Sequence, residues 1–294
     1  MSVSVKNITL SKQYDVIAEM REKSSSDADN YRCLSGYTAG SDGSQLFVMQ
    51  KATSQANQSQ ANSSAKLVEI SSSGTKISSN KTNLGHGNDC AYSTGSYYVC
   101  TQTNTDIYIF NKSDLAKSGV YQYSGGAFAD KVTCIAFLEK NYFLLGQGNK
   151  VAVCSTGSGK FGQISEFSLD GDKNDKNHEK HAVVNGIDNL VRQGMCAHGS
   201  RLYKVYGKRN EEGQIITNYI VEWTMSGGRP DAPAYNSCTM TNMYEFTPKS
   251  DWFLFEMESV SRVGSEIYVA VKTQKDSESS LFKAWLYKVS GMSV

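Results

Sequence analysis

The chain of 294 residues carries 30 basic and 29 acidic side chains, a net charge of +1 that gives no global field for a polyanion and argues against a nucleic-acid partner. Its seven cysteines are an odd number with no CxxC pair, which excludes a disulfide framework and a zinc knuckle. The opening Met1-Ser-Val-Ser-Val-Lys-Asn holds no apolar stretch of signal-peptide length and no window reaches membrane length, so the expectation is a cytoplasmic protein with no membrane partner, or a secreted one if a leader was removed.

Residues 2–10 read as a strand without a unit of its own. Next, Tyr14, Ile17 and Arg21 share one face with Val16 and Met20 nearby, and with Ser11 as N-cap this predicts a short helix over residues 12–22. One phrase of strand residues then recurs five times: Gly43-Ser-Gln-Leu-Phe-Val, Thr94-Gly-Ser-Tyr-Tyr-Val, Glu139-Lys-Asn-Tyr-Phe-Leu-Leu, Gly199-Ser-Arg-Leu-Tyr-Lys-Val and Gly264-Ser-Glu-Ile-Tyr-Val. The starts lie about 45 to 65 residues apart, the interval over which one four-stranded propeller blade is built.

Each phrase supplies a second strand. Third strands follow at Lys66-Leu-Val-Glu-Ile, Asp106-Ile-Tyr-Ile-Phe, Lys150-Val-Ala-Val-Cys, Asn218-Tyr-Ile-Val-Glu-Trp and Leu281-Phe-Lys-Ala-Trp-Leu-Tyr. Weaker fourth strands are placed at Gly74-Thr-Lys-Ile, Val120-Tyr-Gln-Tyr, Gln163-Ile-Ser-Glu-Phe and Cys238-Thr-Met. The fifth unit has none, since its third strand ends near Val289. The expectation is therefore an all-β, single-domain, five-bladed β-propeller with blades near 31–80, 81–125, 126–170, 185–242 and 250–294, the last closed by the N-terminal strand 2–10. Two insertions interrupt the rhythm: the low-complexity stretch from Thr53 to Ser64, and the charged run from Asp170 to His181, read as a solvated linker.

In such a ring the loops leading into the innermost strands gather at one mouth of the central channel. Those positions hold Tyr31-Arg32, His86-Gly-Asn88-Asp89, Asp130-Lys131, Arg192-Gln193, and Glu256 with Glu258, while Trp252 beside Asp251 precedes the fifth inner strand. Charged and amide groups recur there in a chain whose loops otherwise favour Ser, Asn and Gly. The expected ligand set is Arg32, His86, Asn88, Asp89, Arg192, Gln193, Trp252, Glu256 and Glu258, receiving a small-molecule, peptide or carbohydrate ligand without a cofactor. The bland reading is that these groups pair with one another as a structural belt around a wet channel.

An enzyme can be assembled from the same residues: a divalent cation such as calcium on Asn88, Asp89, Glu256 and Glu258, with His86 or His198 as proton acceptor, as in lactonase-like hydrolases or lyases. No spacing rule links these residues. Asp170, Asp172 and Asn174 fit the start of a calcium loop, but Asp175 replaces its glycine and His181 its bidentate glutamate. Ser155-Thr-Gly-Ser-Gly-Lys-Phe lacks the first glycine and the hydroxyl of a phosphate loop, and no GxSxG elbow is present. His178 and His181 are expected in solvent. Trp223 and Trp285 fall on third strands, so they belong to core rather than to sugar platforms.

Leu84-Gly-His-Gly-Asn-Asp-Cys-Ala-Tyr and Arg192-Gln-Gly-Met-Cys-Ala-His-Gly-Ser-Arg-Leu-Tyr carry one resemblance. Together with the blade rhythm they resemble phrases of five-bladed propeller proteins of Gram-positive bacteria, departing at His198-Gly199 where an Asp-Gly turn is usual. That resemblance implies the propeller fold and a binding mouth, and no activity.

Overall fold

In the computed structural model the described residues are 2–51, 64–84, 88–101, 103–176, 181–228, 232–249, 252–276 and 282–292. The chain opens with β1 (Val5–Asn7) and β2 (Thr9–Asp15), then α1 (Val16–Lys23) and α2 (Ser25–Asn30). The first unit comprises β3 (Tyr31–Ala39), β4 (Gln45–Lys51), β5 (Ser64–Ser71) and β6 (Gly74–Ile77), with β7 (Thr82–Asn83) also on β5. The second holds β8 (Asp89–Ser93), β9 (Ser96–Cys100), β10 (Asp106–Asn111) and β11 (Lys117–Ser124), and the third β12 (Cys134–Glu139), β13 (Tyr142–Gln147), β14 (Lys150–Gly157) and β15 (Lys160–Ser168). A hairpin of β16 (Asp172–Asn174) and β17 (Ala182–Val184) precedes the fourth unit: β18 (Ile187–His198), β19 (Arg201–Arg209), β20 (Ile215–Ser226) and β21 (Ser237–Phe246). The fifth has β22 (Leu254–Val263), β23 (Glu266–Gln274) and β24 (Lys283–Ser290). Within every unit, successive strands pair antiparallel, as tight turns between alternating strands dictate.

The fold is all-β, and each unit shares a buried apolar cluster with the next. Leu46, Val48, Val99 and Phe110 join units one and two, and Ile107, Phe143 and Phe161 join two and three. Val153, Leu202 and Trp223 join three and four, and Val205, Tyr244, Phe255 and Val269 join four and five. The cycle closes where Phe47 and Val68 of unit one meet Ala270 and Leu286 of unit five. The leading strands β3, β8, β12, β18 and β22 neighbour one another in the same cyclic order. Among the described residues no helix is long and apolar enough to cross a membrane.

Several expectations need correcting. The strand that completes the fifth sheet is β2, pairing antiparallel with β24 from Thr9↔Ser290 to Asp15↔Trp285, whereas residues 5–7 pair parallel with β21. The helix starts four residues later than expected: Asp15, not Ser11, is the N-cap, accepting from the Ala18 amide at 3.1 Å, because residues 9–15 are held in the sheet. Its buried face is Val16, Ile17 and Met20, set against the junction of units one and five, while Tyr14 and Arg21, expected on one face with Ile17, are exposed. Within the run read as a solvated linker, Asp172–Asn174 instead form β16 and Asp172 is 2% exposed, while residues 177–180 lie outside the described residues. Nothing in the sequence announced that the outer strands β11 and β15 pair in parallel, fusing units two and three into one eight-stranded sheet.

Candidate functional site

Three of the leading strands carry bulges near their middles: around Ser35 in β3, between Arg192 and Met195 in β18, and at Glu258 in β22. A bulge leaves backbone groups outside the ladder and re-aims side chains, and here the Met195 amide, at the end of the β18 bulge, turns to Asp89. Asp89 has no solvent exposure and binds amides of two strands. Its Oδ2 accepts from the amides of Ile135 at 3.1 Å and Met195 at 3.0 Å, and its Oδ1 lies 2.8 Å from Ser259 Oγ. Ser259 Oγ in turn donates to the Tyr37 carbonyl at 3.1 Å. One side chain and its hydroxyl neighbour thus tie β8, β12, β18, β22 and β3 together. Burial pushes the Asp89 carboxyl up to about 7, against the pull of the Met195 amide and the Ser259 hydroxyl.

Gly194 is what lets β18 come this close. A Cβ at that position would lie 2.4 Å from Ser259 Oγ and 2.6 Å from Asp89 Oδ1, so any side chain is refused. The Arg192-Gln-Gly phrase has this steric meaning.

A second group forms on the fifth unit. Glu256 and Lys272 are register partners on β22 and β23, and Lys272 Nζ lies 2.9 Å from Glu256 Oε2 and also binds Glu258 Oε1. Gln193 donates to Glu256 Oε1 at 2.6 Å. All four are buried. Burial raises the Glu258 carboxyl to about 8, the nearby Glu256 adding to the rise and Lys272 opposing it. Glu256 also feels the burial, but Lys272 and the hydrogen bonds of Glu258 and Gln193 bring it below its ordinary value. Lys272, despite burial, is held charged well above the usual lysine range by Glu256 and Glu258. At neutral pH the group is therefore one ammonium, one carboxylate and one neutral acid, a balanced set in low dielectric.

The third feature is a depression of about 460 Å³ where the leading segments of units two, three and four meet, lined among others by Asn88, Lys131, Thr133, Gln147, Arg192 and Arg209. Asn88 donates to the Thr133 carbonyl at 3.0 Å, fixing the wall between β8 and β12. Arg192 is clamped by Asp172, Nη2 to Oδ1 at 2.6 Å, and Asp172 also accepts from the Tyr206 hydroxyl at 2.8 Å. His181, also in the wall and half-buried rather than in solvent, has Nδ1 2.6 Å from Asn189 Oδ1, which makes Nδ1 the donor.

The expected ligand residues therefore do not share one space. Asn88 and Arg192 line the depression, Gln193, Glu256 and Glu258 belong to the Lys272 group, and Asp89 lies sealed at the axis. Arg32 Nε donates to the Phe282 carbonyl at 3.2 Å. Trp252 packs with its ring 6.3 Å from that of Phe255, as core. His86 lies outside the described residues, as do Asp251 and His178. The cation set does not fit either: Asp89 is committed to amides, Glu256 and Glu258 to Lys272, and among the described residues no three His, Cys, Asp or Glu side chains could hold a metal ion. His198 stands at the far end of β18, six residues beyond Arg192 and roughly 20 Å away along the strand, beside Arg262 and Arg201.

Sequence reading missed Lys272, Lys204 and Arg209. The first two sit within apolar second strands, Tyr268-Val-Ala-Val-Lys and Leu202-Tyr-Lys-Val-Tyr, and a lysine inside such a run is the signal that was there to find.

No family model and no curated protein matches the chain. Among solved structures it is similar to a glutaminyl cyclase of Myxococcus xanthus, at 8% identity over 97% of this chain and 98% of that one, with a TM-score of 0.48. A hydrazine synthase structure of Kuenenia stuttgartiensis aligns at 11% identity over 83% and 76% of the two chains, with a TM-score of 0.43. An Hsv2 structure of Kluyveromyces lactis aligns at 8% identity over 86% and 62%, with a TM-score of 0.36.

Proposed function

We propose that the chain is a five-bladed β-propeller that serves as a binding module, its ligand seated in the depression where units two, three and four converge. The cyclic order of the five leading strands and of the five shared apolar clusters supports the ring. The observation that carries the binding reading is the depression itself: about 460 Å³, within the range of small-molecule sites, and walled by amide, hydroxyl and cationic side chains from three separate units. The other two polar centres are engaged internally, Asp89 by two amides and Ser259, and Glu256 and Glu258 by Lys272. The metal-assisted hydrolase or lyase reading loses its donor set for the reasons above, so no catalytic step is assigned.

The test is backbone-amide NMR of the intact protein with added glucose, a neutral dipeptide, citrate and inorganic phosphate. Shifts clustered at Asn88, Thr133, Gln147 and Gly148 are expected for at least one probe, and they should vanish in Thr133→Trp, whose indole would fill the space. Perturbations confined elsewhere, or none with any probe, would overturn the reading.

A further inference from the structure

Around the depression lie cations for which the described residues offer no carboxylate partner. Lys204 is wholly buried, yet among the described residues its ammonium hydrogen-bonds only the Gly148 carbonyl, at 3.0 Å, behind the wall that Gly148 helps to form. Arg209 donates through Nη1 to the Gly213 carbonyl at 3.0 Å, but its buried Nε–H has no acceptor. Lys131 completes the set at the lip. Among the described residues no carboxylate lies within 4.0 Å of any of these three cationic groups. Among the described residues the wall contributes no carboxylate of its own. Asp172 is spent on Arg192, Asp175 accepts from the Asn189 amide at 3.1 Å, and the exposed Asp130 accepts from Gln147 at 2.7 Å.

A buried ammonium without a counter-charge and a buried guanidinium N–H without an acceptor each cost the fold free energy. Both costs fall if an oxyanion enters, because its charge offsets the ammonium across the wall and the guanidinium that lines the depression beside it. Thr133 and Asn88 sit beside it as polar neighbours. Resting on the binding reading above, we infer that the ligand of this depression is an anion bearing a carboxylate or phosphate group, held by Lys131 and Arg209 with Lys204 as a buried counter-charge.

The test is calorimetric and NMR titration with inorganic phosphate and with citrate at fixed ionic strength, with glucose as neutral control. Saturable binding of either anion is expected, with amide shifts at Thr133, Gln147 and Gly148, weakened at least ten-fold in Lys131→Gln combined with Arg209→Gln. Phosphate binding without citrate binding identifies a phosphate source, and the converse a carboxylate. If the double variant does not fold, Lys204→Met decides: removal of the uncompensated charge should raise the melting midpoint without anion and abolish the rise that anion otherwise produces. An anion response unchanged in Lys204→Met overturns the assignment. Shifts of the same amides by glucose but by neither anion would sink the anion assignment while leaving the binding site standing, and no shift with any probe removes both.

Discussion

The Ser259 hydroxyl has one proton and two close oxygens, the Tyr37 carbonyl at 3.1 Å and Asp89 Oδ1 at 2.8 Å. If Asp89 is ionised both oxygens compete for that proton. If Asp89 is protonated, it donates to Ser259 and Ser259 donates to Tyr37, and every group is satisfied. Two buried acids thus have carboxyls raised in the fold, Asp89 to about 7 and Glu258 to about 8. The folded state holds protons that the unfolded chain releases at an ordinary carboxyl value, so their stabilisation is complete below about pH 4 and is lost as pH rises through 7 to 8. Urea midpoints should accordingly be higher at pH 5 than at pH 9. Asp89→Asn, which supplies a carbonyl for two amides and an N–H for Ser259, should flatten that slope with little loss at pH 5, while Asp89→Ala should cost about 3 kcal/mol or more. A slope identical in wild type, Asp89→Asn and Glu258→Gln would remove these acids as its source. Gly194→Ala forces a Cβ against the same oxygens and should cost at least about 1–3 kcal/mol by thermal melting. Lys272→Met strands two buried carboxyls and should cost about 3–5 kcal/mol, whereas Glu258→Gln mimics the protonated acid and should be near neutral at pH 7. Asp89 looked like a rim ligand because a carboxylate after a glycine-rich turn reads as exposed. Its burial depends on amides 46 and 106 residues away, which no local pattern encodes.

At the level of elements, the second and third strands were the legible ones because aromatic and β-branched alternation survives in them, from Leu46 to Val48 in β4 and Ile107 to Ile109 in β10 through Ile267 to Val269 in β23. Boundaries near the N-terminus were not. Thr9–Asp15 is polar and mostly exposed, an edge strand that gains its place from the β24 ladder and from Lys12 Nζ standing 3.5 Å over the Trp285 ring, rather than from its own composition. The bulges that re-aim Gln193 and Glu258 were likewise invisible, since a bulge reads as a break in alternation and a strand such as β22, buried at every position from Leu254 to Ser261, has no alternation to break. Deleting residues 9–15 exposes the β24 edge, and size-exclusion chromatography should then show association that grows with concentration relative to the intact chain. An elution volume that does not move with concentration would show that β24 tolerates an open edge.

Across the whole molecule, apolar burial is distributed among junctions rather than gathered in one centre, and the axis is held by polar side chains. Loss of any one junction weakens the two units beside it and, through Asp89, the remaining three. Fluorescence of Trp223 and Trp285, in the clusters or ladders of different units, should therefore report a single coincident unfolding transition in urea; separate midpoints for variants keeping only one of the two would show that units melt independently. The pairing of β2 with β24 also has a consequence for biosynthesis. A ribosome delivers β2 ahead of every unit and β24 after all the others, so the two partners meet only when translation of the last unit is done. Until that moment β2 and the outer edge of β24 both lack their partner, and pairing with a neighbouring copy competes with the native ladder.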